Sequence, residues 1–148
     1  MTQAYKYAIL YFLVFSLLLL CSGILLFDHK IGFSIDGVLQ YYLGSEETFT
    51  QEKTSLGILK IILPHLFAFG LFCMVLLHFL LFTNKRKLLQ TKVLVYLLFT
   101  SAFLEITAPF LIINGYDFFA YVKILSFFLF QALVIYTAWL LFFSIAYE

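Results

Sequence analysis

Apolar residues along the chain fall into four long runs separated by shorter polar segments. The runs cover residues 8–27, 57–82, 93–113 and 122–147. An α-helix needs about 20 predominantly apolar residues to cross the hydrocarbon core of a bilayer, and each run is long enough to do so. We therefore expect an all-α membrane four-helix bundle, with residues 1–148 forming a single integral-membrane domain.

The segment between the first two runs has a different pattern. Apolar residues recur at helical spacing between Ile31 and Tyr42, with Asp36 on the opposite face. This pattern is typical of a short amphipathic helix that lies in the membrane interface. Ser34 is placed to cap its start, and Gly44 is placed to end it.

The composition supports a membrane protein. Hydrophobic residues make up 64% of the chain and charged residues 11%, and the mean hydropathy is +1.06. A soluble domain averages about 45–50% apolar and about 25% charged residues, so lipid has to solvate much of this surface. The first run is too long for the apolar region of a cleaved signal peptide, and we expect it to be retained as a helix.

The basic residues predict the orientation. The densest basic cluster, Lys85, Arg86 and Lys87 followed by Lys92, lies at the short loop between the second and third runs. Short cytoplasmic loops are rich in lysine and arginine, so this loop and both termini are expected in the cytoplasm.

The two remaining loops are expected on the outer side of the membrane. Their charged residues are mostly acidic: Asp28, Asp36, Glu46, Glu47, Glu52 and Asp117 against Lys30 and Lys53. Four tyrosines in or near these loops, Tyr41, Tyr42, Tyr116 and Tyr121, suit an aromatic belt at the level of the lipid headgroups.

Three polar side chains interrupt the apolar runs at similar depth. A rise of about 1.5 Å per residue places His65, Glu105 and Gln131 at roughly 12–13 Å from the outer face. Ionisable groups inside a membrane are costly and commonly functional. We expect these side chains to form one buried polar layer, which either binds a cofactor or only holds the helices together through hydrogen bonds.

A proline accompanies each ionisable residue of this layer. Pro64 directly precedes His65, and Pro109 follows Glu105 by four positions. Proline lacks an N–H group and frees a backbone carbonyl one turn earlier. Freed carbonyls inside a membrane need partners, and a polar pocket would provide them.

The second span contains another histidine, His78, which lies 13 residues after His65. At about 100° per residue the two side chains point roughly 140° apart, so they do not suit one face carrying two stacked haems. His78 is retained as a further candidate for cofactor binding, although an interfacial position explains it equally well. His29 lies between Asp28 and Lys30 and is expected to be solvated.

Four short motifs resemble those of a family of small four-span bacterial inner-membrane proteins of uncharacterised function. The motifs are Tyr41-Tyr42-Leu43-Gly44, His65-Leu66-Phe67, His78-Phe79-Leu80 and Glu105-Ile106-x-x-Pro109. The resemblance extends from about Tyr41 to Ile113. It implies the four-span topology and marks these residues, but it implies no activity.

These features favour a membrane subunit that binds a redox cofactor, either b-type haem or a quinone. The candidate cofactor-binding residues are His65, Glu105, Gln131 and His78, with His65 as the metal ligand if the cofactor is haem. No catalytic residues are assigned. The alternative is a non-enzymatic scaffold or assembly subunit, which docks a membrane partner through the outer loop or forms a homo-oligomer. A small transporter ranks last, and no nucleic-acid site is expected.

Overall fold

The fold is described by a computed structural model covering residues 3–46, 49–83 and 89–147. Glu47 and the basic residues Lys85, Arg86 and Lys87 lie outside the described residues. The described chain forms five α-helices: α1 Gln3–Lys30, α2 Ile35–Leu43, α3 Ser55–Leu80, α4 Leu89–Ile113 and α5 Phe119–Tyr147.

Four of the five helices, α1, α3, α4 and α5, are long and apolar enough to cross a membrane. The predicted all-α membrane bundle is therefore confirmed. Three of the four begin several residues before their apolar runs, because a helix continues through the interface until caps or water satisfy its terminal backbone groups. After its last turn, α3 continues into three hydrogen bonds between residues three positions apart, as in a 3₁₀-helix. The first runs from the Leu81 N–H to the His78 carbonyl at 3.0 Å.

The central pair of the bundle is α4 and α5. Of the residues in the most apolar part of each spanning helix, 44% are buried in α4 and in α5, against 22% in α1 and 17% in α3. We call the end of the bundle with α2 the α2 end and the opposite one the termini end. At the termini end, the Lys6 ammonium donates to the Ile145 carbonyl at 3.2 Å and joins the start of α1 to the last turns of α5.

The short helix α2 forms where its sequence pattern predicts. Ser34 is the N-cap, and its hydroxyl oxygen accepts from the Gly37 N–H at 3.0 Å. Gly44 ends the helix with a φ of 84° and donates its N–H to the Gln40 carbonyl. The buried residues Val38 and Tyr42 pack α2 against the spanning helices.

The interior contains two separate hydrophobic clusters. The α2-end core contains Val38, Tyr42, Ile58, Ile62, Ile106, Ile112 and Ala120. The termini-end core contains Ile9, Leu13, Leu20, Cys73, Leu76, Leu80, Leu94, Leu98, Ala102, Phe130, Val134, Ala138 and Leu141. Phe69 on α3 packs against both. The polar residues described next include an ion pair at the level where the two clusters meet.

Candidate functional site

The centre of the polar region is an ion pair between α4 and α5. The Lys123 ammonium donates to Oε1 of Glu105, and the exposed fractions of the two side chains are 8% and 10%. On α4, Glu105 lies between Ala102 of the termini-end core and Ile106 of the α2-end core. The pair therefore occupies the boundary between the two apolar clusters.

The same ammonium satisfies a backbone group that proline has freed. Pro109 has no N–H with which to pair the carbonyl of Glu105, four residues earlier on α4. Lys123 Nζ donates to that carbonyl oxygen at 3.0 Å. One lysine thus neutralises the carboxylate and fills the gap in the hydrogen bonding of α4.

The two residues of the ion pair lie at different distances from the ends of their helices. Glu105 lies eight residues before the end of α4 at Ile113, or about 12 Å along the axis, whereas Lys123 lies four residues after the start of α5 at Phe119, or about 6 Å. The flexible four-carbon stem of lysine bridges this difference.

Ser126 and Tyr42 complete the surroundings of Glu105. The Ser126 hydroxyl lies 3.2 Å from Oε2 of Glu105 and 3.1 Å from the Lys123 carbonyl, and its single proton serves one of them at a time. Tyr42 of α2 is 3% exposed. Burial raises the pKa of its hydroxyl, and the charge of Glu105 and the neighbouring Tyr41 raise it further. Tyr42 therefore belongs to the core rather than to the predicted aromatic belt.

His65 occupies an unusual position on α3. The inward stripe of this helix is formed by residues spaced three or four positions apart, with one gap of seven: Ile58, Ile62, Phe69, Cys73, Leu76 and Leu80. Position 65 falls in that gap, three residues after Ile62 and four before Phe69. His65 thus belongs to the inward stripe by helical register, yet its side chain is exposed. Its ring lies edge-on to Phe69, which stacks on Phe130.

The path of α1 explains this exposure. Near the termini end α1 packs on α3 through Phe12, whose ring contacts Phe72 and Phe79. Contacts between α1 and α5 occur at both ends of the bundle: Lys6 with Ile145 at the termini end, and Phe27 stacked on Phe127 with ring centroids 4.1 Å apart nearer the α2 end. The ring contacts of α1 with α3 in the described chain lie toward the termini end, so α1 leaves α3 uncovered at the level of His65.

The contact of the imidazole with the backbone indicates the tautomer of the neutral ring. Nδ1 of His65 lies 2.6 Å from the Ile61 carbonyl oxygen. A carbonyl only accepts hydrogen bonds, so we assign to the neutral ring a proton on Nδ1 and a lone pair on Nε2. No hydrogen bond joins His65 and Glu105 among the contacts of the described residues.

Gln131 lies apart from both ionisable residues. It follows Phe130, a residue of the termini-end core, on α5, and its amide nitrogen approaches Gly23 of α1. Its Oε1 atom is buried and has no hydrogen-bond partner among the described residues. The expectation of a single hydrogen-bonded layer of His65, Glu105 and Gln131 is therefore wrong in its connectivity, because Glu105 pairs with Lys123 instead.

The other two histidines lie away from this region. His78 is exposed near the end of α3, on the face opposite the inward stripe, and its ring lies edge-on to Phe82. His29 is exposed in the last turn of α1. No group of three or more His, Cys, Asp or Glu that could hold a metal ion occurs in the described parts of the chain. A role in cofactor binding remains a prediction for His65, Glu105, Gln131 and His78.

Lys123 is the site residue that the sequence analysis missed. It is the second residue of the fourth apolar run, 122–147, and it was assigned no role there. Two signals point to it: an intramembrane carboxylate needs a cation, and Pro109 leaves the Glu105 carbonyl in need of a donor. Lys123 lies four residues after the start of α5, and its ammonium meets both requirements.

The fold and the buried ion pair define a small four-span helical membrane protein. A family model described as a transmembrane helical domain, Aq_1264_TM, matches residues 32–148. The chain belongs to this family. No curated protein and no solved structure matches it.

Proposed function

We propose that the protein is a membrane subunit that binds a lipid-soluble redox cofactor of the quinone class beside His65. The observation that carries this proposal is the exposure of a polar imidazole on the inward stripe of a spanning helix. In hydrocarbon such a group is costly unless another molecule meets it. The lone pair of Nε2 and the neighbouring Phe69 ring suit a flat head group with polar oxygens.

A quinone is favoured over b-type haem. The bond from Nδ1–H to the Ile61 carbonyl would orient His65 as an axial ligand. However, the polar residues at this level on the neighbouring helices are Glu105, Lys123 and Ser126, which bind one another. A haem would therefore depend on a single axial ligand, whereas a quinone needs only hydrogen bonds and ring contacts.

The proposed location is the inner membrane of a bacterium, with both chain termini in the cytoplasm. The basic cluster at the loop between α3 and α4 supports this orientation through the positive-inside rule. A quinone would then reach His65 from the outer half of the bilayer, because α3 enters the membrane from the α2 end.

Photolabelling tests the proposal. Protein in nanodiscs is irradiated with an azido-quinone that carries an isoprenoid tail, and the labelled residues are located by mass spectrometry. We expect labelling on α3 around His65, competition by unlabelled quinone, and at least a tenfold loss in His65→Phe. The proposed site does not include His78, which is exposed on the opposite face of the same helix, so His78→Phe is the matched control.

Equal labelling of wild-type protein and His65→Phe would contradict the proposal. Reduced-minus-oxidised visible spectra, with and without added haemin, test the haem version on the same samples. A Soret band that is lost in His65→Phe and kept in His78→Phe would replace the quinone by haem.

The ion pair favours a second candidate, a non-enzymatic scaffold or assembly subunit. Glu105 and Lys123 neutralise each other inside the protein, as expected of a purely structural contact. The low burial of α1 and α3 would then reflect contact with a membrane partner or with a second copy. A stable partner that survives mild solubilisation, together with absent quinone labelling, would favour this candidate.

A further inference from the structure

We infer that the site beside His65 binds the reduced hydroquinone in preference to the oxidised quinone. The inference rests on the proposed function and concerns which redox form of the ligand the chain recognises. It follows from the hydrogen-bonding character of His65, whose side chain is exposed on α3.

The first step is the tautomer of His65. Because Nδ1–H donates to the Ile61 carbonyl, the ring atom left for a ligand is Nε2, which accepts. The opposite tautomer would set the lone pair of Nδ1 against the lone pairs of that carbonyl, 2.6 Å away. In the neutral ring, the backbone of α3 therefore leaves Nε2 as a hydrogen-bond acceptor.

The second step is the chemistry of the two redox forms. A hydroquinone has two O–H groups and donates to an acceptor, whereas a quinone has only carbonyl oxygens and needs donors. An O–H group without an acceptor in an apolar medium is costly, and an acceptor facing another acceptor gains nothing. His65 thus offers the reduced form a hydrogen bond that the oxidised form cannot make.

The third step concerns the nearby donors. Lys123 directs its ammonium at Oε1 and at the backbone carbonyl of Glu105. Ser126 directs its hydroxyl at Glu105 or at its own helix. Both residues are buried, while His65 is exposed. The ion pair therefore keeps the donors of this region inside the protein, and the acceptor faces the ligand.

Nitrogen-15 NMR of the histidine rings tests this inference directly. The chain contains three histidines, and His65→Gln and His78→Gln assign the signals. At pH 8, where an ordinary imidazole is neutral, we expect His65 to show a protonated Nδ1 and an unprotonated Nε2. Decylhydroquinone should shift the Nε2 signal and saturate it at a concentration at least tenfold lower than decylquinone does.

The dimethyl ether of decylhydroquinone is the ligand control, because it has the same ring and tail and no O–H group. It should bind as weakly as the quinone, and none of the three ligands should shift His78. A tenfold preference raises the midpoint potential of the bound two-electron couple by about 30 mV.

The outcomes separate this inference from the proposed function. Equal affinity for both redox forms, tighter binding of the quinone, or a free ring protonated at Nε2 would overturn the preference for hydroquinone while leaving the binding site intact. If no ligand shifts His65, and no photolabel reaches α3, the proposed function fails and this inference fails with it.

Discussion

At the scale of single residues, the main question is how Glu105 can remain inside a membrane protein. Its carboxylate faces an ammonium and a hydroxyl, and its own backbone carbonyl shares that ammonium. Ordinary interhelical hydrogen bonds in membrane proteins contribute only about 0.6 kcal/mol on average. Removing one partner of a buried ion pair costs about 3–5 kcal/mol, because an uncompensated charge is left behind.

Because a lone buried charge costs far more than an ordinary hydrogen bond contributes, the effects of substituting Glu105 and Lys123 should be strongly coupled. Glu105→Gln and Lys123→Met should each lower the free energy of unfolding by about 3–5 kcal/mol. The double variant should recover most of that loss, because it buries no net charge. The measurement is reversible unfolding in mixed micelles, followed by circular dichroism.

Lys60→Met is the matched control, since it removes an exposed lysine from α3. Its effect should stay within about 0.5 kcal/mol, as is usual at surfaces. If the losses of the two single variants simply add in the double variant, the ion pair is not the interaction that makes Glu105 tolerable.

At the scale of elements, the position of α2 over the ion pair depends on the turn that follows it. Gly44 has a φ of 84° and a ψ of 172°, a region essentially restricted to glycine. A Cβ atom there would lie 2.7 Å from the Thr50 carbonyl oxygen and 2.8 Å from the Glu52 nitrogen. Both contacts are with backbone, so the loop that leads from α2 to α3 would have to move.

Gly44→Ala should therefore destabilise the protein more than Gly115→Ala. Gly115 also has a positive φ, 86°, but a Cβ atom there would have open space around it. We expect Gly115→Ala to cost about 1–2 kcal/mol from backbone strain alone, and Gly44→Ala to cost clearly more. Thermal unfolding of both variants measures the difference, and equal costs would show that the loop yields to the added methyl group.

The sequence predicts these elements better than it predicts their contacts. The four spans follow from the bilayer thickness, and the ends of α2 follow from local capping at Ser34 and Gly44. The pairing of Glu105 with Lys123 depends on where α5 begins and how far a side chain reaches. The periodicity of apolar residues predicts neither the start of α5 nor the reach of a side chain. It does not predict the exposure of His65 either, since that depends on the path of another helix.

At the scale of the whole molecule, the bundle combines a well-packed centre with two loosely covered helices. The α4–α5 pair carries the ion pair and most of the buried positions, while α1 and α3 keep large apolar faces toward their surroundings. At the boundary between the two cores, the polar side chains Glu105 and Lys123 of α4 and α5 are buried, whereas His65 of α3 is exposed. A ligand would therefore approach laterally from the bilayer, on one side of the molecule.

The orientation of the molecule decides which half of the bilayer would supply the proposed ligand. The structure has an even number of spans, and its termini end carries the starts of α1 and α4 and the ends of α3 and α5. Both termini therefore lie on the same side of the membrane, and the basic cluster between α3 and α4 predicts that this side is the cytoplasm. In a bacterial host, fluorescent-protein fusions at either terminus should then fluoresce. An alkaline phosphatase inserted at Tyr116, in the loop between α4 and α5, should be active.

Charge substitutions test the cause of this orientation. Replacing Lys85, Arg86 and Lys87 by glutamine should yield a mixture of both orientations, because basic residues in short loops dominate topology. Asp28→Asn with Asp36→Asn is the control and should change nothing, since acidic residues contribute little to that rule. Fluorescent termini in every variant, the glutamine variant included, would mean that another feature of the chain sets the orientation. Active phosphatase at the termini of the wild-type protein would place His65 in the cytoplasmic half of the bilayer and reverse the proposed side of ligand entry.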